Sequence, residues 1–272
     1  MSSGMSIRAR AALAALTAAV FVPSALAQTP AFTMGWTVGG GPTETYDWSS
    51  HGTLNGYGDD WTVPGNKNIW TGWNYTGVLV GSTKTGTWEI EWNCVFNDAV
   101  EGVAGGGNAF VTANIVVTNN DAALQNFSLL MTLPTGLLGT VTEQGSLVGT
   151  ITDLDFGDAT VFAPTGRRIY TPMIDGSDEV PGYLMNDPFS ESAGGPGFSG
   201  IVGPADFGIP SPVAASQIVD SSIGILLDFD LTGNDAVSFT AIFQVLIPAP
   251  AGLPILAAVG VVAGRRRRRA RG

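Results

Sequence analysis

Val237-Ser238-Phe239-Thr240-Ala241-Ile242-Phe243-Gln244-Val245 alternates apolar and polar side chains over most of its length. A period of two puts most of the apolar side chains on one face of an extended strand. Phe110-Val111-Thr112-Ala113-Asn114-Ile115-Val116-Val117 has a similar pattern. Working outward, strand-like runs cover residues 74–80, 86–96, 109–118, 124–133, 146–154, 160–170, 217–231 and 235–247. The joins between them carry turn chemistry: Asn119-Asn120-Asp121, Thr135-Gly136, Phe156-Gly157-Asp158 and Thr232-Gly233-Asn234-Asp235. Between the chain ends no stretch sustains a 3.6-residue apolar period. Eight or more short strands with turn punctuation predict an all-β fold for residues 28–247: an antiparallel β-sandwich of jelly-roll or immunoglobulin-like type. Residues 176–212 are rich in Gly, Pro, Ser and Asp and lack alternation. They are expected to form an extended loop over one end of the sandwich.

Composition agrees with this picture. Only 13% of the 272 residues are charged, 37 are glycine, and 44% are hydrophobic. That balance suits a secreted β-rich chain with a packed core. The charge is unevenly placed. Residues 28–247 hold only Lys67, Lys84, Arg167 and Arg168 against all 23 acids. Phosphate binding needs basic surface, so a body this acidic argues against a nucleic-acid partner. The single cysteine, Cys94, excludes an internal disulfide and sits in an alternating run as a small core residue.

Both ends read as addresses. Arg8 and Arg10 precede an apolar run of about 12 residues, too short for a bilayer. Ala25-Leu26-Ala27 then supplies small residues for cleavage. Residues 1–27 are expected to be a signal peptide. At the other end, Pro248, Ala249 and Pro250 lead into an uncharged stretch that ends at Gly264. Arg265, Arg266, Arg267, Arg268 and Arg269 follow it. About 16 apolar residues lie near the lower limit for a transmembrane helix, and the arginines would act as a cytoplasmic stop.

A short proline motif, an apolar helix and a terminal arginine cluster, over residues 247–272, resemble the PEP-CTERM sorting signal in a planctomycete-like Pro-Ala-Pro form. Ala249 stands where that family usually carries glutamate. The resemblance implies export, membrane anchoring through the C-terminal helix, and handling by an exosortase-type sorting enzyme. Delivery to the cell surface or extracellular matrix would follow. Thr118-Asn119, Leu133-Pro134, Asp187-Pro188-Phe189-Ser190 and Ser222-Ile223-Gly224-Ile225 are also similar to domains found ahead of such tails.

Motifs for catalysis are missing from the sequence. No Gly-x-Ser-x-Gly elbow, P-loop or dinucleotide fingerprint occurs, and His51 is the only histidine. A hydrolase is therefore the least supported reading, and a non-enzymatic display protein the preferred one. Two features suggest binding. Asp153, Asp155 and Asp158 place three carboxylates within six residues at a turn, as oxygen ligands for calcium or as a water-facing hairpin tip. All seven tryptophans fall in residues 36–92. Trp88 and Trp92 share one strand face and suit the core. Trp48, Trp61 and Trp70 sit in polar loops, where they could stack on a polysaccharide or form the lid of the core.

Overall fold

The computed structural model describes residues 32–41, 44–47, 52–58, 62–63, 66–67, 71–97, 108–135 and 139–246. The signal segment 1–27, the tail 248–272, and Trp48, Trp61 and Trp70 lie outside them. Among the described residues there is no α-helix, and no helix is long and apolar enough to cross a membrane.

The strands, in chain order, begin with β1 (Thr33–Val38), β2 (Glu44–Asp47), β3 (Gly52–Gly58), β4 (Thr62–Val63) and β5 (Asn66–Lys67). Next come β6 (Thr71–Ser82), β7 (Thr87–Asn97), β8 (Asn108–Asn119), β9 (Gln125–Pro134) and β10 (Thr142–Asp153). They continue with β11 (Asp158–Phe162), β12 (Arg168–Ile174), β13 (Ser177–Asp178), β14 (Leu184–Asn186) and β15 (Ser190–Gly194). The series closes with β16 (Ser199–Phe207), β17 (Val213–Ala214), β18 (Ser222–Leu231) and β19 (Asp235–Leu246).

Two antiparallel sheets account for all but the β4–β5 pair. One runs β13-β12-β18-β9-β1-β2 and carries β11, β14 and β15 at its side. The other runs β16-β10-β19-β8-β7-β6-β3, with β17 on β10. The alternation seen in the sequence explains their facing surfaces. In β19 the residues Val237, Phe239, Ala241, Phe243 and Val245 are buried, and in β8 so are Ala109, Val111, Ala113, Ile115 and Val117. Both sheets feed one hydrophobic core, a sandwich-like arrangement. Phe229 of β18 meets Phe239 of β19 edge-to-face at 5.1 Å between ring centres. The Tyr170 hydroxyl of β12 donates to the Ile242 carbonyl of β19 at 2.8 Å, so this deep phenol does not leave its polar end unmet. Trp36, Trp88 and Trp92 are buried, as the shared-face reading of the latter two requires.

The chain between residues 176 and 212 is not an extended loop. It forms β13 to β16 and a single 3-10 turn at Val180–Gly182. β16 pairs with β10, and β15 pairs with β11. β16 sits on a sheet edge and buries only Val202, so it has no apolar face to reveal in its sequence. The predicted run 160–170 is also broken, because Pro164-Thr165-Gly166 turns the chain between β11 and β12. Gly166 there has φ 71°, the left-handed region that glycine enters without penalty.

Gly149 lies where the β10–β16 register shifts. A Cβ there would sit 2.4 Å from the Ser238 carbonyl oxygen and 2.8 Å from the Phe239 ring. Neither neighbour can swing away, since one is ladder backbone and the other is core. Gly149→Val is expected to lower stability by about 3 kcal/mol through overpacking. A urea midpoint equal to that of the parent would count against this packing.

Candidate functional site: a cross-strand carboxylate cluster

Six acids are buried among the described residues: Asp121, Glu143, Asp153, Glu179, Asp228 and Asp235. Burying a charge is costly unless partners replace the lost water. Asp121 has a full set. It accepts from Thr83 Oγ1 at 2.6 Å, Gln125 Nε2 at 3.0 Å, the Ala123 N–H at 3.1 Å, and Thr85 Oγ1. These bonds, the one from Thr83 foremost, hold its carboxyl below the ordinary range. Asp228 meets the Arg167 guanidinium at 2.6 Å and Asn126 Nδ2 at 3.2 Å.

Glu143 and Glu179 are less well served. Neither oxygen of Glu143 has a partner, nor does Glu179 Oε2, while Glu179 Oε1 accepts from the Ser216 N–H. Burial, with Glu179 adding to it, pushes the Glu143 carboxyl up to about 8. Glu143 thus carries its proton at neutral pH.

The third group has more chemical character. Asp153 ends β10 and Asp235 begins β19, and the two are direct cross-strand partners. Asp155 follows in the turn to β11. Carboxylate oxygens of the three lie within 4.8 Å of one another. Local turn chemistry fixes them. Asp153 Oδ1 accepts the Asp155 N–H at 3.0 Å, and Asp155 Oδ1 accepts the Gly157 N–H at 2.5 Å. Asn234, at φ 56°, donates its Nδ2 to Asp155 Oδ2 at 3.2 Å. Thr232 Oγ1 donates to Asp235 Oδ2 at 2.5 Å. Two buried oxygens remain without a donor, Asp153 Oδ2 and Asp235 Oδ1. Burial raises the Asp235 carboxyl above its ordinary value; Thr232 and the Leu154 N–H oppose the rise, and Asp153 and Asp155 add to it.

Two of the three carboxylates expected from sequence are therefore in the group, and the third is Asp235 rather than Asp158. Asp158 is exposed at the start of β11, opposite Gly194, because the Phe156-Gly157 turn carries it past the cluster. Asp235 lies 80 residues beyond Asp155 in the chain. Its sequence signal, Thr232-Gly233-Asn234-Asp235, reads only as a turn until the β10–β19 register is known.

The sorting residues Pro248, Ala249, Pro250 and Arg265 to Arg269 lie outside the described residues, as do the loop tryptophans. A cleft of about 660 Å³ opens beside Trp36, Trp88, Glu44, Lys84 and Gln125. Both of its tryptophans are buried, so neither presents an open ring face like those that stack on sugars. Cys94 is fully buried, and burial pushes its thiol up to about 12, far from a reactive thiolate.

Fold and cluster define the class: an all-β protein of two antiparallel sheets with a carboxylate triad, two of its members buried, where β10 and β19 meet. Comparison with known proteins finds no family model, no curated protein and no solved structure that matches the chain.

Proposed function

We propose that this chain is an exported, non-enzymatic display or matrix protein: a β-sandwich body of jelly-roll or immunoglobulin-like kind, presented by its C-terminal tail. The single observation that carries this reading is the layout of residues 248–272, the Pro248-Ala249-Pro250 motif, an uncharged stretch and five consecutive arginines. In this proposal the tail holds the body at the membrane until an exosortase-type enzyme releases it to the cell surface or matrix. The body's character supports it. The one thiol is sealed in the core, and the tryptophans at positions 36, 88 and 92 are committed to packing.

Intact-mass measurement of the protein from its own host tests the proposal. The expected mature chain begins at Gln28 and ends near Pro248 to Pro250. A chain still carrying Arg265 to Gly272 would rule out release and leave a permanent anchor.

A further inference from the structure

Among the described residues, Asp121 and Asp228 have a donor or a cation on both oxygens, whereas Glu143, Glu179, Asp153 and Asp235 each keep at least one oxygen without a donor. Of these, Asp153 and Asp235 share their place with a third carboxylate, at the β10–β19 junction. Asp153 is 0% exposed and Asp235 is 2% exposed, yet each keeps one oxygen without a donor. Their strands place them directly opposite one another, with Asp155 beside them. Both ion pairs formed among the described residues lie elsewhere, at Arg167–Asp228 and Arg168–Asp178. Three like charges at this spacing repel unless something positive sits among them.

The arrangement has the marks of a hard-cation site. The donors are all carboxylate oxygens, the type that calcium and magnesium take and that zinc and copper sites seldom use alone. Oxygens bound to one calcium ion lie at most about 4.8 Å apart, twice a bond of about 2.4 Å, and the spread here stays within that limit. Access is open on one side, since Asp155 is half-buried and Leu154 and Phe156 beside it are exposed. The second oxygen of each buried aspartate is already held, by the Asp155 N–H or by Thr232. That leaves Asp153 Oδ2 and Asp235 Oδ1 as the unclaimed acceptors.

We propose that Asp153, Asp155 and Asp235 bind a calcium ion that ties the end of β10 to the start of β19. The three residues come from two strand junctions, so the ion acts as a cross-strand clip. Waters fill the rest of the shell, as an open three-carboxylate site requires. This site stands on its own geometry and does not depend on how the tail is processed.

The test uses the full chain, stripped with EDTA and then titrated with calcium chloride, magnesium chloride or sodium chloride at matched ionic strength. Calcium is expected to bind with a midpoint between about 10 µM and 1 mM, the range from sensor sites to extracellular modules. Saturating calcium is expected to raise Tm by about 5 °C or more. Asp235→Asn should abolish both responses, while its Tm in EDTA equals or exceeds that of the parent because repulsion is relieved. Asp158→Asn should keep both in full. Three results would overturn the site: no heat of binding with an unmoved Tm at 10 mM calcium, an equal Tm rise from sodium chloride, or a calcium response that survives Asp235→Asn.

Discussion

Glu143→Gln is expected to stabilise the protein at pH 9 by about 3 kcal/mol and to change it little at pH 4. The reason is the burial of Glu143 beside Glu179 with no donor to either of its oxygens. The folded carboxyl titrates at about 8, against an ordinary value of 4.5. A carboxyl raised in this way binds a proton more tightly in the folded state. Its contribution is fully present below pH 4.5 and is lost as pH rises through about 8. Each unit of separation corresponds to about 1.4 kcal/mol, which sets a ceiling near 5 kcal/mol. The expected gain is smaller because the buried Gln amide also needs partners, although Glu179 Oε2 is an acceptor still without a donor. Tyr170, whose own titration is raised first by burial and then by Glu143, should stay raised in the variant by its burial and lose only the smaller contribution of Glu143. Urea unfolding of parent and variant at pH 4, 6, 8 and 9 checks this. Midpoints that differ by a constant amount at every pH would show that Glu143 does not titrate between those limits.

Phe239→Ala is expected to lower stability by about 4 kcal/mol, or roughly 10 °C in Tm. Phe239 is only 2% exposed and packs edge-to-face against Phe229, which is itself stacked on Phe127 at 5.6 Å. Its ring also bears on Gly149, where no side chain exists to fall into the space left behind. The cavity would therefore stay open, and cavity volume adds to the lost burial. Phe243→Leu in the same strand keeps most of the volume and should cost less than half as much. Equal losses for the two would mean that the inter-sheet contact has no special weight.

The regular part of this fold is written in its central strands. Residues 109–118 and 235–247 alternate because one face of each must enter the core, and their observed bounds differ from the expected ones by a residue or so. The edge strands carry no such mark. β15 and β16 bury one residue each, and their Gly and Pro content imitates a loop. The candidate site was legible in halves. Asp153 and Asp155 stand out as neighbours in sequence, but Asp235 becomes their neighbour only through pairing across about 80 residues. Glu143 lay just ahead of the run read as beginning at residue 146, and nothing local shows that its partner is Glu179. A strand register is a long-range fact, and composition does not encode it.

The two central positions of the sheets have a further meaning. β18 sits between β12 and β9, and β19 sits between β10 and β8. These are the last two strands of the described chain, and each joins halves that were synthesised far earlier. The first sheet lacks β18 until residue 231 has been made, and the second lacks β19 until residue 246 has. Folding dominated by such distant pairings is slow. Under the export proposed above, in which the polypeptide threads a membrane as an open strand, such a delay would be useful. In that proposal the order of strands serves as a timer, with closure of the sheets waiting on β18 and β19.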